Sequence, residues 1–92
     1  MVGKKNEIKE NNEKLSKYMN LDGIIVSKHR WLLNQIYDEH EKNMGSGEEV
    51  GDKVYLGKTT QHGLEIYIDE EGEFWAGDQN WVIPIKIDFK ED

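Results

Sequence analysis

The sequence predicts an α+β fold: two N-terminal helices followed by a four-stranded antiparallel β-meander, with the second helix packed on one face of the sheet. Three observations predict it. Apolar residues recur at helical spacing between residues 27 and 44, and from Lys53 onward the period falls to two. Short stretches containing Gly, Asp or Asn separate the alternating runs, as hairpin turns require. Ninety-two residues suffice for one modest core, and no internal repeat divides them, so residues 1–92 are assigned to a single domain.

The first element, within residues 1–20, is a lysine-rich helix or a partly flexible arm. Helix formers dominate residues 6–19, and Glu10–Lys14 and Glu13–Lys17 are favourable i,i+4 pairs. The apolar stripe is thin: it holds Ile8, Leu15, Tyr18 and Met19, with Asn11 and Asn12 where a buried turn would need apolar residues. Weak docking is therefore expected. Leu21-Asp22-Gly23 breaks the helix, and Ile24-Ile25-Val26 reads as a short extended connection.

The core helix is placed at 27–44. Ser27 suits the N-cap, and Val26 and Trp31 have the spacing of a hydrophobic staple. Leu33, Ile36, Tyr37, His40 and Met44 share one face, whereas Asp38, Glu39 and Glu41 project away from it. Gly45 ends the helix. Residues 45–52 hold three glycines and no period, so a mobile loop is expected there.

The meander is placed at 53–89. One face collects Val54 and Leu56, then Leu64, Ile66 and Ile68, then Phe74 and Ala76, and last Trp81, Ile83, Ile85, Ile87 and Phe89. Pro84 has no amide hydrogen, which predicts that the final strand lies at an edge or carries a bulge. The alternation assigns Tyr55, Glu65, Tyr67, Asp69, Glu73, Trp75, Val82 and Lys86 to the opposite, solvated face. Around the turn IDEEGEF, acids and aromatics thus share a surface, and Glu65, Tyr67, Asp69, Glu70, Glu71, Glu73 and Trp75 form the candidate partner-binding patch. The competing explanation is structural: Tyr67 and Trp75 stabilise the hairpin across strands, and the acids only solvate it.

Charge narrows the partner. The net charge is −7, and residues 48–92 hold twelve carboxylates against four lysines. Such a surface repels phosphate backbones and attracts basic protein surfaces, so a protein partner is expected and direct nucleic-acid binding is not. With 34% charged residues, no cysteine and no apolar run, a cytoplasmic location without membrane contact is expected.

The residues offer little to catalysis. Asp69, Glu71 and Glu73 alternate as in a calcium loop, but Asn80 stands where the closing glutamate belongs. His29 and His40 lie about 16 Å apart along one helix, too far to share a metal, and His62 reaches either only through the tertiary fold. Ser27 and Ser46 are better explained as cap and loop, and Gly45-Ser46-Gly47 lacks the lysine of a phosphate-binding loop. Glu65 and Glu73, facing each other across a hairpin, would form a carboxylate pair without the burial that separates two pKa values. No enzyme activity and no cofactor are expected.

With YLGKT, LEIYIDEEGEFWAGD and WVIPI, residues 54–87 resemble the closing hairpins of SUKH-superfamily immunity proteins. The resemblance implies neutralisation of a toxin by direct binding, and it does not extend into the first half of the chain. Two functions are in view. One is a small acidic inhibitor or immunity-type protein, of phage or cellular origin, that occludes a basic surface, with imitation of nucleic-acid phosphates as a special case. The other is a structural or regulatory homodimer. A homodimer is expected in either case, because two thin helical stripes cover little of a four-stranded sheet.

Overall fold

The computed structural model describes residues 3–89. Met1, Val2 and residues 90–92, which the sequence reading included in the domain, lie outside the described residues, as does the side chain of Ile8. Helix α1 (Gly3–Ser16) is followed by strand β1 (Ile24–Ile25), helix α2 (Arg30–Lys42) and strand β2 (Glu48–Glu49). Strands β3 (Val54–Thr59), β4 (Glu65–Ile68), β5 (Phe74–Gly77) and β6 (Trp81–Ile85) complete the chain. The two helices, the α+β class and the packing of α2 on the sheet agree with the sequence reading.

The sheet itself differs: it has six strands in the order β1-β3-β4-β5-β6-β2, and it is mixed. The predicted meander is its centre, with antiparallel pairs Ile66↔Ala76 and Ala76↔Ile83. Ile24-Ile25, expected to be a simple connection, pairs parallel with Lys58-Thr59 of β3. Part of the expected mobile loop pairs antiparallel with β6, placing Glu48 opposite Val82 and Glu49 opposite Trp81. Two-residue strands carry too little alternation to announce themselves in a sequence, and their pairing rests on backbone hydrogen bonds.

The α2 boundaries also move inward. Ser27–His29 form a 3₁₀ turn, and no side chain caps it. The expected Ser27 cap does not form, and an aromatic cluster stands at this end of the helix. Tyr18 meets His29 and Trp31 edge-on, at centroid distances of 5.2 and 5.3 Å, and tertiary packing so overrides the local capping signal. At the other end α2 stops at Lys42, and Met44–Ser46 turn as 3₁₀.

The main core lies between α2 and the sheet. Leu32, Leu33 and Ile36 pack with Ile66, Ile68, Phe74, Ala76 and Ile85, and α1 adds Leu15. Each fully buried aliphatic side chain contributes about 1.5–3 kcal/mol relative to exposure. Gly57 allows the sheet edge to close here: a Cβ at that position would collide with the Gly23 carbonyl and the Met19 thioether. A bulge between Tyr55 and Gly57 shifts the register of β3 against β4. Val54 and Trp81, expected in the core, sit at strand ends and are 59% and 50% exposed.

A side-chain ladder extends the sheet beyond β6. Asn43 Nδ2 donates to the Pro84 carbonyl (3.0 Å), and the Lys86 N–H donates to Glu39 Oε1 (3.0 Å). The Asp88 N–H donates to Gln35 Oε1, and Gln35 Nε2 returns a bond to the Asp88 carbonyl (3.1 Å). The spacing explains the match. Four helical residues rise about 6.0 Å and two extended residues about 6.7 Å, so positions 35, 39 and 43 meet 88, 86 and 84 in step. Pro84 is tolerated because β2 reaches only Trp81 and Val82, leaving β6 an edge where the missing amide would point.

The second face of the sheet is not open. Tyr67, Trp75 and Val82 form a second buried cluster, covered by Val50 from the β2–β3 connection. The reach of that connection shows why. In a flat sheet β2 and β3 would lie four strand spacings apart, about 19 Å, with Glu49 and Val54 also at opposite ends of the strands. The five Cα steps between them reach at most about 17–18 Å even when fully extended, and the Lys53 N–H folds back to the Val50 carbonyl (3.1 Å). The sheet therefore curls, and residues 50–53 cross its concave face as a strap.

Candidate functional site

The predicted patch centres on the β4–β5 turn, whose conformation follows from two residues. Gly72 takes φ +82°, a left-handed conformation that costs glycine little, and its N–H donates to the Asp69 carbonyl (3.1 Å). Asp69 Oδ1 accepts the N–H groups of Glu71 and Glu73, both at 2.9 Å. Its Oδ2 accepts the Trp75 indole N–H at 2.9 Å. Asp69 is thus a turn-forming acid with both oxygens occupied. Asn11 of α1 donates to the Gly72 carbonyl (2.6 Å), tying the first helix to the turn.

Tyr67 and Trp75, expected on a solvated face, are only 6% and 8% exposed. They lie opposite each other in the β4–β5 register, beneath the strap. The strap's Lys53 places its ammonium 4.3 Å from the Trp75 ring centroid, 2.6 Å from Glu48 Oε2 and 3.2 Å from the Glu49 carbonyl. The Lys53 side chain is 8% exposed. Tyr67 donates its O–H to Glu65 Oε1 (2.8 Å). Burial first, and then this carboxylate, push the phenol up to about 12, because both disfavour the phenolate.

Above these groups the strap and turn border a groove of about 500 Å³. Glu48, Glu49 and Asp52 line it from one side, and Glu70, Glu71 and Glu73 from the other. All six are exposed. The turn acids are legible in the sequence, whereas Glu48 and Glu49 of β2 and Asp52 of the strap are not, because EEVGDK carries no alternation. Their signal was the charge run itself. The groove presents carboxylates outward, while its lysine is turned under and held by Glu48.

The remaining candidates stay apart. Glu65 pairs in register with Gly77, whereas Glu73 lies across the turn from Asp69, so the two glutamates do not face each other. His29 packs on Tyr18, His62 stacks on Tyr37 at 4.0 Å, and His40 Nδ1 lies 3.3 Å from Glu41. Among the described residues no three His, Asp or Glu side chains are arranged to hold a metal ion, and no helix is long and apolar enough to cross a membrane. Asp78 Oδ1 accepts the N–H groups of Asn80 and Trp81, both at 2.8 Å, which hold its carboxyl below the usual range.

No protein-family model, curated protein or solved structure matches the chain. The resemblance of residues 54–87 to SUKH hairpins accordingly carries no argument about function.

Proposed function

We propose that the protein is a small acidic binding module that docks its carboxylate-lined groove onto a basic surface of a partner protein and occludes it, as an inhibitor or immunity-type protein does. One observation carries this reading: six exposed carboxylates from two separate segments surround one groove, over a base fixed by Asp69, Trp75 and Lys53. A base held in this way presents the acids with little ordering cost on binding. The reading assigns no reaction and no nucleic-acid partner. Contact with the partner falls to Glu70, Glu71 and Glu73 with Glu48, Glu49 and Asp52, whereas Tyr67 and Trp75 act as the scaffold.

The test is capture of a partner from a host-cell extract, followed by association kinetics with the purified pair. Association is expected to slow as salt rises, because exposed charges are screened over about 8–10 Å. Glu71→Lys with Glu73→Lys is expected to reduce capture without lowering the melting temperature. Capture indifferent to salt and to both reversals overturns the reading. The homodimer is a second proposal, favoured by Val54, Tyr55 and Trp81, each at least half exposed. Light scattering at high concentration decides it, and a strict monomer rejects it.

A further inference from the structure

Lys53, lying over Trp75 and bonded to Glu48, completes a cation site from within the chain. The neighbouring residues repeat its parts without the cation. Glu49 follows Glu48 in β2 and so projects to the opposite face of the sheet, where it stands opposite Trp81 of β6. Residues paired in this way carry their Cβ atoms about 4.5–5.5 Å apart, which puts a carboxylate beside the indole. Among the described residues no cation lies over Trp81, and Glu49 has no ion-pair partner. Trp81 is 50% exposed, yet its position is fixed. Its N–H donates to Asp78 Oδ1 (2.8 Å), its carbonyl accepts the Asp78 N–H (3.0 Å), and its indole sits so close to Gly47 that a Cβ there would collide with Nε1. The indole borders a groove of about 490 Å³ with the exposed side chains of Gln79 and Asn80. Among the described residues that line this groove, Glu49 alone is charged.

We infer that Trp81 and Glu49 form a subsite for an arginine side chain of the partner protein. The inference rests on the acidic-module reading above and extends it, since Glu49 borders both grooves. The guanidinium stacks on the indole and pairs with the Glu49 carboxylate. A planar, weakly hydrated guanidinium does both at once better than a compact ammonium. Its remaining N–H groups find acceptors in the amide side chains of Gln79 and Asn80. Glu49 repels an anion, and a neutral ligand leaves its charge unanswered. Trp81 thereby takes the anchor role that Trp75, held beneath Lys53, cannot fill, and an exposed Trp meeting an Arg is the pairing in which interface energy concentrates.

The experiment measures by calorimetry the binding of hexa-arginine and hexa-lysine, peptides of equal length and charge, to the whole chain, and follows the Trp81 indole N–H by NMR. Hexa-arginine is expected to bind about threefold more tightly than hexa-lysine and to move the Trp81 signal, which is assigned by its loss in Trp81→Leu. Trp81→Leu keeps apolar bulk and is expected to bring the two peptides to equal affinity, whereas Glu49→Gln is expected to weaken hexa-arginine. If Trp81→Leu lowers the melting temperature, Glu49→Gln at its exposed side chain decides. Salt-sensitive binding of both peptides with equal affinity leaves the acidic groove as the partner site and overturns the arginine subsite. Binding of neither peptide overturns both. An arginine preference that survives Trp81→Leu, or a Trp81 signal that stays in place, also overturns the inference. So does a Trp81 signal that shifts on dilution without peptide, which assigns the indole to a second copy of the chain.

Discussion

Asp69 divides its two oxygens between the backbone of its own turn and the indole of Trp75, which makes a double-mutant cycle informative. Asp69→Asn keeps an oxygen for the two backbone amides but turns an NH₂ toward the indole N–H, and Trp75→Phe removes the donor instead. Each change is expected to destabilise by about 1–3 kcal/mol, and the double mutant by less than their sum, because both break one bond. Chemical denaturation measures all three variants. Tyr67 supplies a second prediction at this scale. Its folded pKa of about 12 lies above the ordinary 10.0, so the stability contributed by the protonated phenol is complete below pH 10 and is lost as pH climbs through about 12. An absorbance titration of the folded protein is expected to show an ionisation near 12 that Tyr67→Phe removes. A Tyr67→Phe titration indistinguishable from that of the unsubstituted protein in this range would contradict the burial.

The ladder from α2 makes its own prediction. Glu39→Gln retains the acceptor for the Lys86 N–H and is expected to be nearly neutral, whereas Glu39→Ala is expected to cost about 0.5–1.5 kcal/mol. Adding Gln35→Ala removes the bonds to Asp88, and hydrogen exchange at Lys86 and Asp88 is expected to accelerate while that at Ala76 does not. The ladder also marks what was legible in the sequence. Glu39 reads in the sequence as projecting away from the apolar stripe of α2, yet its side chain is only 18% exposed and accepts the Lys86 N–H; nothing local announces that a polar face will serve as a strand edge. The meander was legible because Ile66, Ile68, Phe74 and Ala76 alternate, and alternation is all that a half-buried strand needs. β1 and β2 were not, since two residues define no period. Burial of Tyr67 and Trp75 was missed for the same cause, because the Val50 and Lys53 that cover them come from a segment whose glycines suggested a loop.

At the scale of the whole molecule, the six strands are ordered so that the earliest and latest parts of the sheet depend on each other. β2 completes its bonds only on β6, and the core helix between β1 and β2 is sewn to the segment that follows β6. Most loops tolerate added residues because the entropic cost of lengthening is small. Residues 50–53 are an exception: they act on the sheet as a string acts on a bow, and their length sets the bend. Four Gly-Ser residues inserted after Gly51 would slacken the string, and the tension that keeps Trp75 dry would pass to the strand pairs alone. The expected result is a red-shifted tryptophan emission with readier quenching by acrylamide, while far-UV circular dichroism keeps its shape. An unshifted emission would show that the sheet holds its curvature without the strap. The depth of the acidic groove is thereby a quantity set by chain length, adjustable one residue at a time without changing a single carboxylate.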